Sequence, residues 1–526
     1  MSLGWRRLLI LVCMVASAVI AIILPQPGVV PTGGVDGDRL REDLNFVASQ
    51  PHPPGSADHA IVRNWMLAEL TALGLSPRVD EAEGLTRFGQ RVELKNIVAR
   101  VEGTSDLPAV LVATHYDSRS ETPGAGDATM AVVSLLETAR KLRDQPPRRD
   151  VILLWTDGEE SGLLGAFAWV EQHPDFEGAS HVLNFDARGN AGPPVMFQSS
   201  GDVAQYMNAF AAAPWPVGNS AAAFIYEKMP NNTDYTVFSL AGLTGLNFAV
   251  VDGFEHYHMA SDTPSNLGDG MLRRYAATMW RATDTLANEP LLREGGNRSR
   301  AYFNAGPLIV QYGSPLAWTT LALASLFLGW VAAGRAYRID YCTLLRRLVE
   351  TLLALGLTLP LLWLDRGKAW AGWTPALFGW AVLVVVVVTP DRTMQVGHLR
   401  RGWLVVVGGI LLIATIALLA WDLRPSFLTG MPLLGLVVAA WRPTWAIVTL
   451  AASWATLVLL PMLWLGVVAL TFQMLVVFMP GLLLLAWLWQ IAWQAARESE
   501  RRAKRSGAAT RQGRAGVWPT KSSARP

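Results

Sequence analysis

From residue 313 to 495 the chain is almost continuous apolar sequence, interrupted by short loops that carry arginine. A soluble core cannot absorb so long an apolar stretch, whereas a membrane-spanning helix takes about 20 apolar residues. The segments 315–334, 346–364, 369–389, 402–421, 427–441, 444–461 and 464–493 therefore read as spans, the fifth short and the last long and broken by Pro480. Another apolar run, 8–24, follows Trp5-Arg6-Arg7. It exceeds the apolar core of a cleaved signal peptide, and the small residues Ala16-Ser17-Ala18 fall in its middle rather than at its end. It reads as an uncleaved anchor.

Arginine sets the expected orientation, because basic loops stay in the cytoplasm. With Arg6 and Arg7 inside, the chain beyond the anchor lies outside. Eight spans in all then bring every basic region back to the cytoplasm: Arg335, Arg338, Arg346 and Arg347; Arg392, Arg400 and Arg401; Arg442; and the run 497–505. The expected organisation is an anchor over 1–30, a soluble domain over 36–295, a transmembrane domain of about seven helices over 313–495, and a basic, disordered cytoplasmic tail over 496–526.

Averaged over 526 residues, 51% are hydrophobic and 16% charged, which suits no single soluble globule. The mean blends two solvents, water and the lipid bilayer. A net charge of +2 supplies no field for nucleic acid. The two cysteines, Cys13 and Cys342, lie outside the soluble domain, so that domain has no thiolate for a metal. The spans hold no cluster of acidic or histidine residues of the kind that marks an ion pathway.

The soluble domain alternates β-type runs (92–101, 109–114, 151–156, 181–185, 195–198, 246–251) with helical patterns (58–73, 128–143, 161–172, 202–213, 270–288). That alternation predicts an α/β fold, a mixed and largely parallel sheet flanked by helices, joined to a C-terminal all-α transmembrane domain. Ligands of such sheets bind beyond the carboxyl ends of the strands. The polar residues fall there: His115-Tyr116-Asp117 after the second run, Asp157-Gly158-Glu159-Glu160 after the third, Asp186 after the fourth, and Glu255-His256-Tyr257-His258 after the last. Histidines and carboxylates without cysteine suit zinc or a similar divalent ion. With Asp127 in a glycine-rich turn, the set is large enough for two metals sharing one carboxylate. Two-metal sites of about 3.5–4 Å spacing serve hydrolysis, and Glu159-Glu160 offers a ligand beside a general base.

The motifs ATHYDS, PGAGDAT, WTDGEESGLLG, NFDARG and HYHMASDTPSNL, in that order, resemble the M28 metallopeptidase family over about residues 40–290. The resemblance implies a zinc exopeptidase-like fold and two Zn²⁺, with cobalt or manganese as possible substitutes. It implies that His115 and Asp186 hold one ion, Glu160 and His258 the other, and that Asp127 bridges them. Glu159 would be the general base acting on a metal-bridging water, Asp117 would orient His115, Asp262 would serve near His258, and Tyr235 would supply a hydroxyl to the oxyanion. One departure is Ala128, where the family usually carries Asp or Asn after the bridging aspartate. The layout of one anchor, this domain and many spans is similar to the membrane branch of the family, that of the endoplasmic reticulum metallopeptidase and the vacuolar membrane protease.

The function so implied is an aminopeptidase acting on peptide substrates. In a bacterium it would sit in the inner membrane with the catalytic domain in the periplasm. The alternatives are a catalytically inactive binding or scaffold protein on the same fold, which would normally show missing ligands, and a glutaminyl cyclase-like enzyme, which uses one zinc.

Overall fold

The computed structural model of the protein describes residues 3–29, 32–289, 300–334, 397–470, 481 and 484–501. In chain order the elements are α1 (Leu3–Ala18), α2 (Gly37–Val47), α3 (Ala57–Ala72), β1 (Arg78–Leu85), β2 (Arg91–Val101), β3 (Ala109–His115), α4 (Met130–Asp144), β4 (Val151–Thr156), α5 (Leu164–Gln172), β5 (Ala179–Ala187), β6 (Val195–Ser199), α6 (Met207–Ala212), β7 (Val217–Gly218), α7 (Ser220–Tyr226), α8 (Asp234–Ala241), β8 (Thr244–Val250), α9 (Asp269–Asn288), β9 (Arg300–Ala305), β10 (Leu308–Gly313) and α10 (Ser314–Gly334). Helices Gly397–Trp421, Phe427–Trp441 and Trp445–Leu470 follow, and a last helix covers 484–501.

One eight-stranded sheet carries the soluble domain, in the order β1-β2-β4-β3-β5-β8-β6-β7. The four strands β4, β3, β5 and β8 run parallel, with antiparallel β2 on one side and β6 on the other. Side chains alternate between the faces, as the two-residue period of a strand requires. Val151, Leu153 and Trp155 of β4 join Met130 and Leu135 of α4 and Leu272 and Met279 of α9 in one core. Ile152 and Leu154 point the other way, onto Trp169 of α5 and Phe238 of α8. Both faces are buried, which is why these strands read as unbroken apolar runs. The parallel strands end together, so His115, Glu159-Glu160 and Asp186 emerge at one edge.

The expected sheet is present, with additions. Edge strand β1, rich in charge, and the two-residue β7 escaped the hydrophobic pattern, as did the short helices α2, α7 and α8. A β9–β10 hairpin occupies the stretch just before the apolar half, where no element was expected. Tyr302 from this hairpin joins the core of the soluble domain, and Phe303 stacks on Phe427 of the apolar half at 5.0 Å between ring centroids.

His181 lies far from the ligand edge, near the start of β5, buried with its Nδ1 2.9 Å from the Tyr206 hydroxyl. Burial holds its pKa down at about 4, against 6.5 when exposed. The neutral ring is therefore favoured in the folded state, so stability is complete above pH 6.5 and declines as pH falls towards 4, by up to about 3 kcal/mol. His181→Gln is expected to flatten that part of the curve. Denaturation midpoints of both proteins at several pH values check it: a constant difference between pH 7 and pH 4.5 would remove His181 as the cause.

Four helices among the described residues are long and apolar enough to cross a membrane: Gly4–Ile23, Ser314–Ala333, Gly402–Trp421 and Trp445–Leu463. Phe427–Trp441, at 15 residues, is shorter than a full span. The expected spans at 346–364 and 369–389 lie outside the described residues. One boundary differs from expectation. The chain does not break between 461 and 464; a single helix runs from Trp445 to Leu470 with Pro461 inside it. Neighbouring helices make an internal proline tolerable in such a bundle, and hydropathy alone places no end there.

Arg6, Arg7 and Arg442 gather at one end of the bundle. Arg6 lies over the Trp445 ring (5.8 Å), Arg7 over Trp493 (5.4 Å) and Arg442 over Trp441 (4.8 Å). The opposite end receives the soluble domain. There Phe224 of α7 meets Trp421 edge-on at 4.9 Å, Ser220 Oγ donates to the Arg424 carbonyl at 2.7 Å, and Arg424 pairs with Glu227.

Candidate metal centre

Five chain segments bring the ligand-type side chains together. His115 is the last residue of β3, Asp186 is near the end of β5, Glu160 follows β4, and His258 sits in the loop after β8 with φ of +57°. A non-glycine residue in that left-handed region is strained, and the cost is tolerated where surrounding structure demands one side-chain direction. Asp127 comes from the turn before α4, where the Asp127–Ala128 peptide bond is cis.

Asp127 stands between the two histidines. Its Oδ1 lies 3.2 Å from His115 Nε2, and its Oδ2 lies 3.3 Å from His258 Nε2. His115 Nε2 is also 3.5 Å from Asp186 Oδ1, and His258 Nε2 is 3.2 Å from Glu160 Oε2. Two groups result, His115–Asp127–Asp186 and Asp127–Glu160–His258, each with its ligand atoms within 4.8 Å of one another. The buried Glu160 Oε1 has no hydrogen-bond partner among the described residues. A donor set of two imidazoles and three carboxylates with an unsatisfied oxygen fits two divalent cations. A third group, Asp80, His173 and Glu177, is half-exposed, and both its carboxylates already pair with Arg78.

Supporting residues fix this geometry. The His115 Nδ1 lies 3.1 Å from the Asp117 carbonyl and 3.5 Å from its carboxylate. That carboxylate also accepts the backbone N–H groups of Glu159 (3.1 Å) and Glu160 (3.3 Å), so one aspartate holds both the imidazole and the acidic turn. The second role was not foreseen. Asp262 was expected beside His258; the structure places it under the Asp127 turn instead, accepting from Gly126 N (2.8 Å) and Asp127 N (3.1 Å). Gly126 is needed there, since a Cβ would meet Gly189 O at 2.9 Å and Asp262 Oδ1 at 3.0 Å. His256, the neighbouring histidine, turns away to Ser261 Oγ at 2.9 Å.

The electrostatics are those of crowded buried acids. Burial raises Glu159 well above the carboxylate range. Burial and then the Asp127 charge hold Glu160 at about 7. Burial is the main force on His115 and opposes its charging, yet contacts with Asp117, Asp127 and Asp186 together raise it well above 6.5. A bound divalent ion would be the largest local charge and would reverse this balance, keeping the acids ionised and the imidazoles neutral.

Tyr235 is corrected. It is fully buried, with its hydroxyl donating to the Gly245 carbonyl (2.7 Å) and meeting Ser200 Oγ (2.8 Å), inside the core beneath α5 and α8. Its neighbour Asp234 faces the site instead, bonded to Thr156 Oγ1 and raised by burial to about 7. One step along a helix turns a side chain by about 100°, so the two cannot share a direction. Two other phenols line a cavity with Asp127, Glu159 and Asp186: Tyr226, and Tyr257, which stacks on His258 at 3.7 Å. Sequence reading missed Tyr257 and Asp234, each standing beside a residue that already had a role; the only signal was their adjacency to the motifs.

Residues 96–283 match the model described as Peptidase family M28. Over 248 residues the chain is 30% identical to a "Vacuolar membrane protease" of Candida albicans (strain WO-1), an alignment covering 45% of this chain and 29% of that protein. The chain thus spans less than a third of that relative's length. Among solved structures, it resembles an aminopeptidase from Aneurinibacillus sp. strain AM-1 (12% identity, 50% of this chain and 97% of that one, TM-score 0.42). It also resembles the glutaminyl cyclase of Porphyromonas gingivalis (21% identity, 48% and 98%, TM-score 0.40).

Proposed function

We propose, from the premise that the chain carries a Peptidase family M28 domain, that it is a membrane-bound, two-zinc aminopeptidase that releases N-terminal residues from peptides. The observation that carries this reading is the placement of Asp127, whose two oxygens each face a different histidine while Asp186 and Glu160 complete two separate ligand groups. An inactive scaffold has no need of a full set, and a one-zinc cyclase has no need of the second group.

His115 and Asp186 would hold one ion, Glu160 and His258 the other, and Asp127 both. Bound there, the ions would acidify an attacking water and polarise the scissile carbonyl. The remaining work belongs to side chains. Glu159, in the cavity wall, takes the proton from the attacking water as the new C–O bond forms and then gives it to the leaving amine as the C–N bond breaks. The Tyr257 hydroxyl donates to the carbonyl oxygen as it gains charge. The carboxylates of Asp127, Glu159, Glu160 and Asp186 favour a cationic α-amino group at the same edge. Asp117 keeps His115 and the Glu159-Glu160 turn in register.

The clustering of Arg6, Arg7 and Arg442 at the end away from the catalytic domain supports a topology in which that domain is extracytoplasmic. The activity is tested with fluorogenic peptides carrying free or acetylated N-termini, with and without chelator. Hydrolysis confined to free N-termini and lost on chelation is expected. Equal hydrolysis of acetylated peptides would refute the aminopeptidase reading, and pyroglutamate formation without hydrolysis would replace it by a cyclase.

A further inference from the structure

The cavity that contains Glu159 does not stop at the soluble domain. It measures about 340 Å³, and its lining runs from Asp127, Glu159 and Asp186 to Met462, Leu465 and Gly466 of the helix Trp445–Leu470. The rest of the lining includes the apolar Val195, Phe197 and Ile225 together with the polar Arg188, Tyr226 and Thr233. Leu465 packs in one cluster with Val195, Phe197 and Ala249, so the apolar half and the sheet form a continuous surface there.

Helix geometry explains how these residues arrive. The helix has 26 residues and is about 39 Å long, more than the roughly 30 Å hydrocarbon layer needs. Its first residue, Trp445, lies under Arg6 at the basic end. Met462 is 17 residues further on, about 26 Å along the axis. Met462 and Leu465 therefore stand where the hydrocarbon layer ends, facing the catalytic domain.

Met462 also packs between the halves, with Ala221, Phe303 and Phe427, but docking does not require it or Leu465 to border the cavity. The two halves are already joined by Phe224 on Trp421, Ser220 on Arg424, Glu227 with Arg424, and Phe303 on Phe427. At Met462 and Leu465 the side chains border open volume that leads to Glu159. A cavity of this size, with a mainly apolar lining and polar groups that include Arg188, Asn231 and Thr233 besides the acidic residues, has the make-up of a ligand pocket. Methionine at its floor adapts to apolar groups of different shape.

We propose that the helix Trp445–Leu470 forms part of the substrate pocket, with Met462 and Leu465 as specificity-determining residues, and that the pocket takes the bulky apolar side chain of the residue to be released, of the leucine, methionine or phenylalanine class. This rests on the aminopeptidase reading above. The membrane half is then more than an anchor: it completes the site, and the catalytic domain severed from it has an open pocket.

Two measurements on the full chain in lipid nanodiscs test this. The first is hydrolysis of peptides beginning with Leu, Phe, Ala or Lys. The second is binding of the same peptides, labelled at the C-terminus, to the Glu159→Gln protein by fluorescence anisotropy. Leu and Phe are expected to exceed Ala and Lys by roughly 10- to 100-fold in kcat/KM and in affinity. Met462→Ala and Leu465→Ala, in both backgrounds, are expected to shrink that ratio about tenfold. A purely structural role would lower all four substrates together and leave the ratio intact, which would overturn the assignment. So would equal binding of the four peptides, tighter binding of Lys, or no saturable binding. If Leu and Phe bind selectively but wild-type protein hydrolyses nothing, the pocket stands and the peptidase reading falls. If all four are hydrolysed alike, the peptidase reading stands and the pocket falls.

Discussion

Replacing Glu159 with glutamine is expected to lower kcat by about 10²- to 10⁴-fold, the range for loss of a positioned general base. The amide keeps the size of the side chain but cannot accept the proton from water. The backbone N–H of Glu159 still donates to Asp117, so the turn and its neighbour Glu160 keep their places. Metal content and the melting temperature should therefore stay near wild type while turnover collapses. Stopped-flow or endpoint assays paired with elemental analysis check this. A variant that retains a tenth or more of wild-type kcat with a full metal complement removes Glu159 from the mechanism.

Removing Asp127 is expected to act differently, because that residue belongs to both ligand groups. Asp127→Ala takes one oxygen from each group and leaves His115 and His258 without their common partner. Both ions should be lost or bound weakly, and activity should vanish with them. Stability should fall as well. A ligand present at about a thousand times its Kd adds about 4 kcal/mol to folding, and each ion contributes on that scale only when bound. Without them, Glu159, Glu160, Asp186 and Asp234 face one another in a buried space. The wild-type melting temperature should drop sharply with chelator, whereas that of Asp127→Ala should start low and respond little. Equal responses of the two proteins to chelator would show that Asp127 is not shared.

How much of this was legible beforehand follows from where each signal lives. The strands β3, β4, β5 and β8 are buried on both faces, so they appear as plain apolar runs, and their ends could be read to a residue or two. The metal-type residues stand at those ends because the topology of a parallel sheet leaves them nowhere else to converge. Edge strand β1, with Arg78, Asp80, Glu81 and Glu83, shows no apolar run because it packs against one neighbour only. Tyr235 was misread because a helix start does not announce its rotational phase. One residue decides whether a side chain reaches the site, as Asp234 does, or the core, as Tyr235 does. Asp262 was expected near His258, whereas the fold of the loop after β8 brings it beneath Asp127. The continuation of the helix beyond Pro461 was hidden because hydropathy does not change across that residue. That hidden length carries Met462 and Leu465 to the cavity, so the sequence showed two halves without showing that they share a pocket.

The number of metal ions held by the intact chain is the most direct test of a two-ion centre. Purified in lipid, stripped with chelator and retitrated with zinc, wild-type protein should bind two ions per chain, with hydrolysis of a free-N-terminus peptide appearing only as they bind. One tight ion per chain, or hydrolysis that survives without metal, would contradict it.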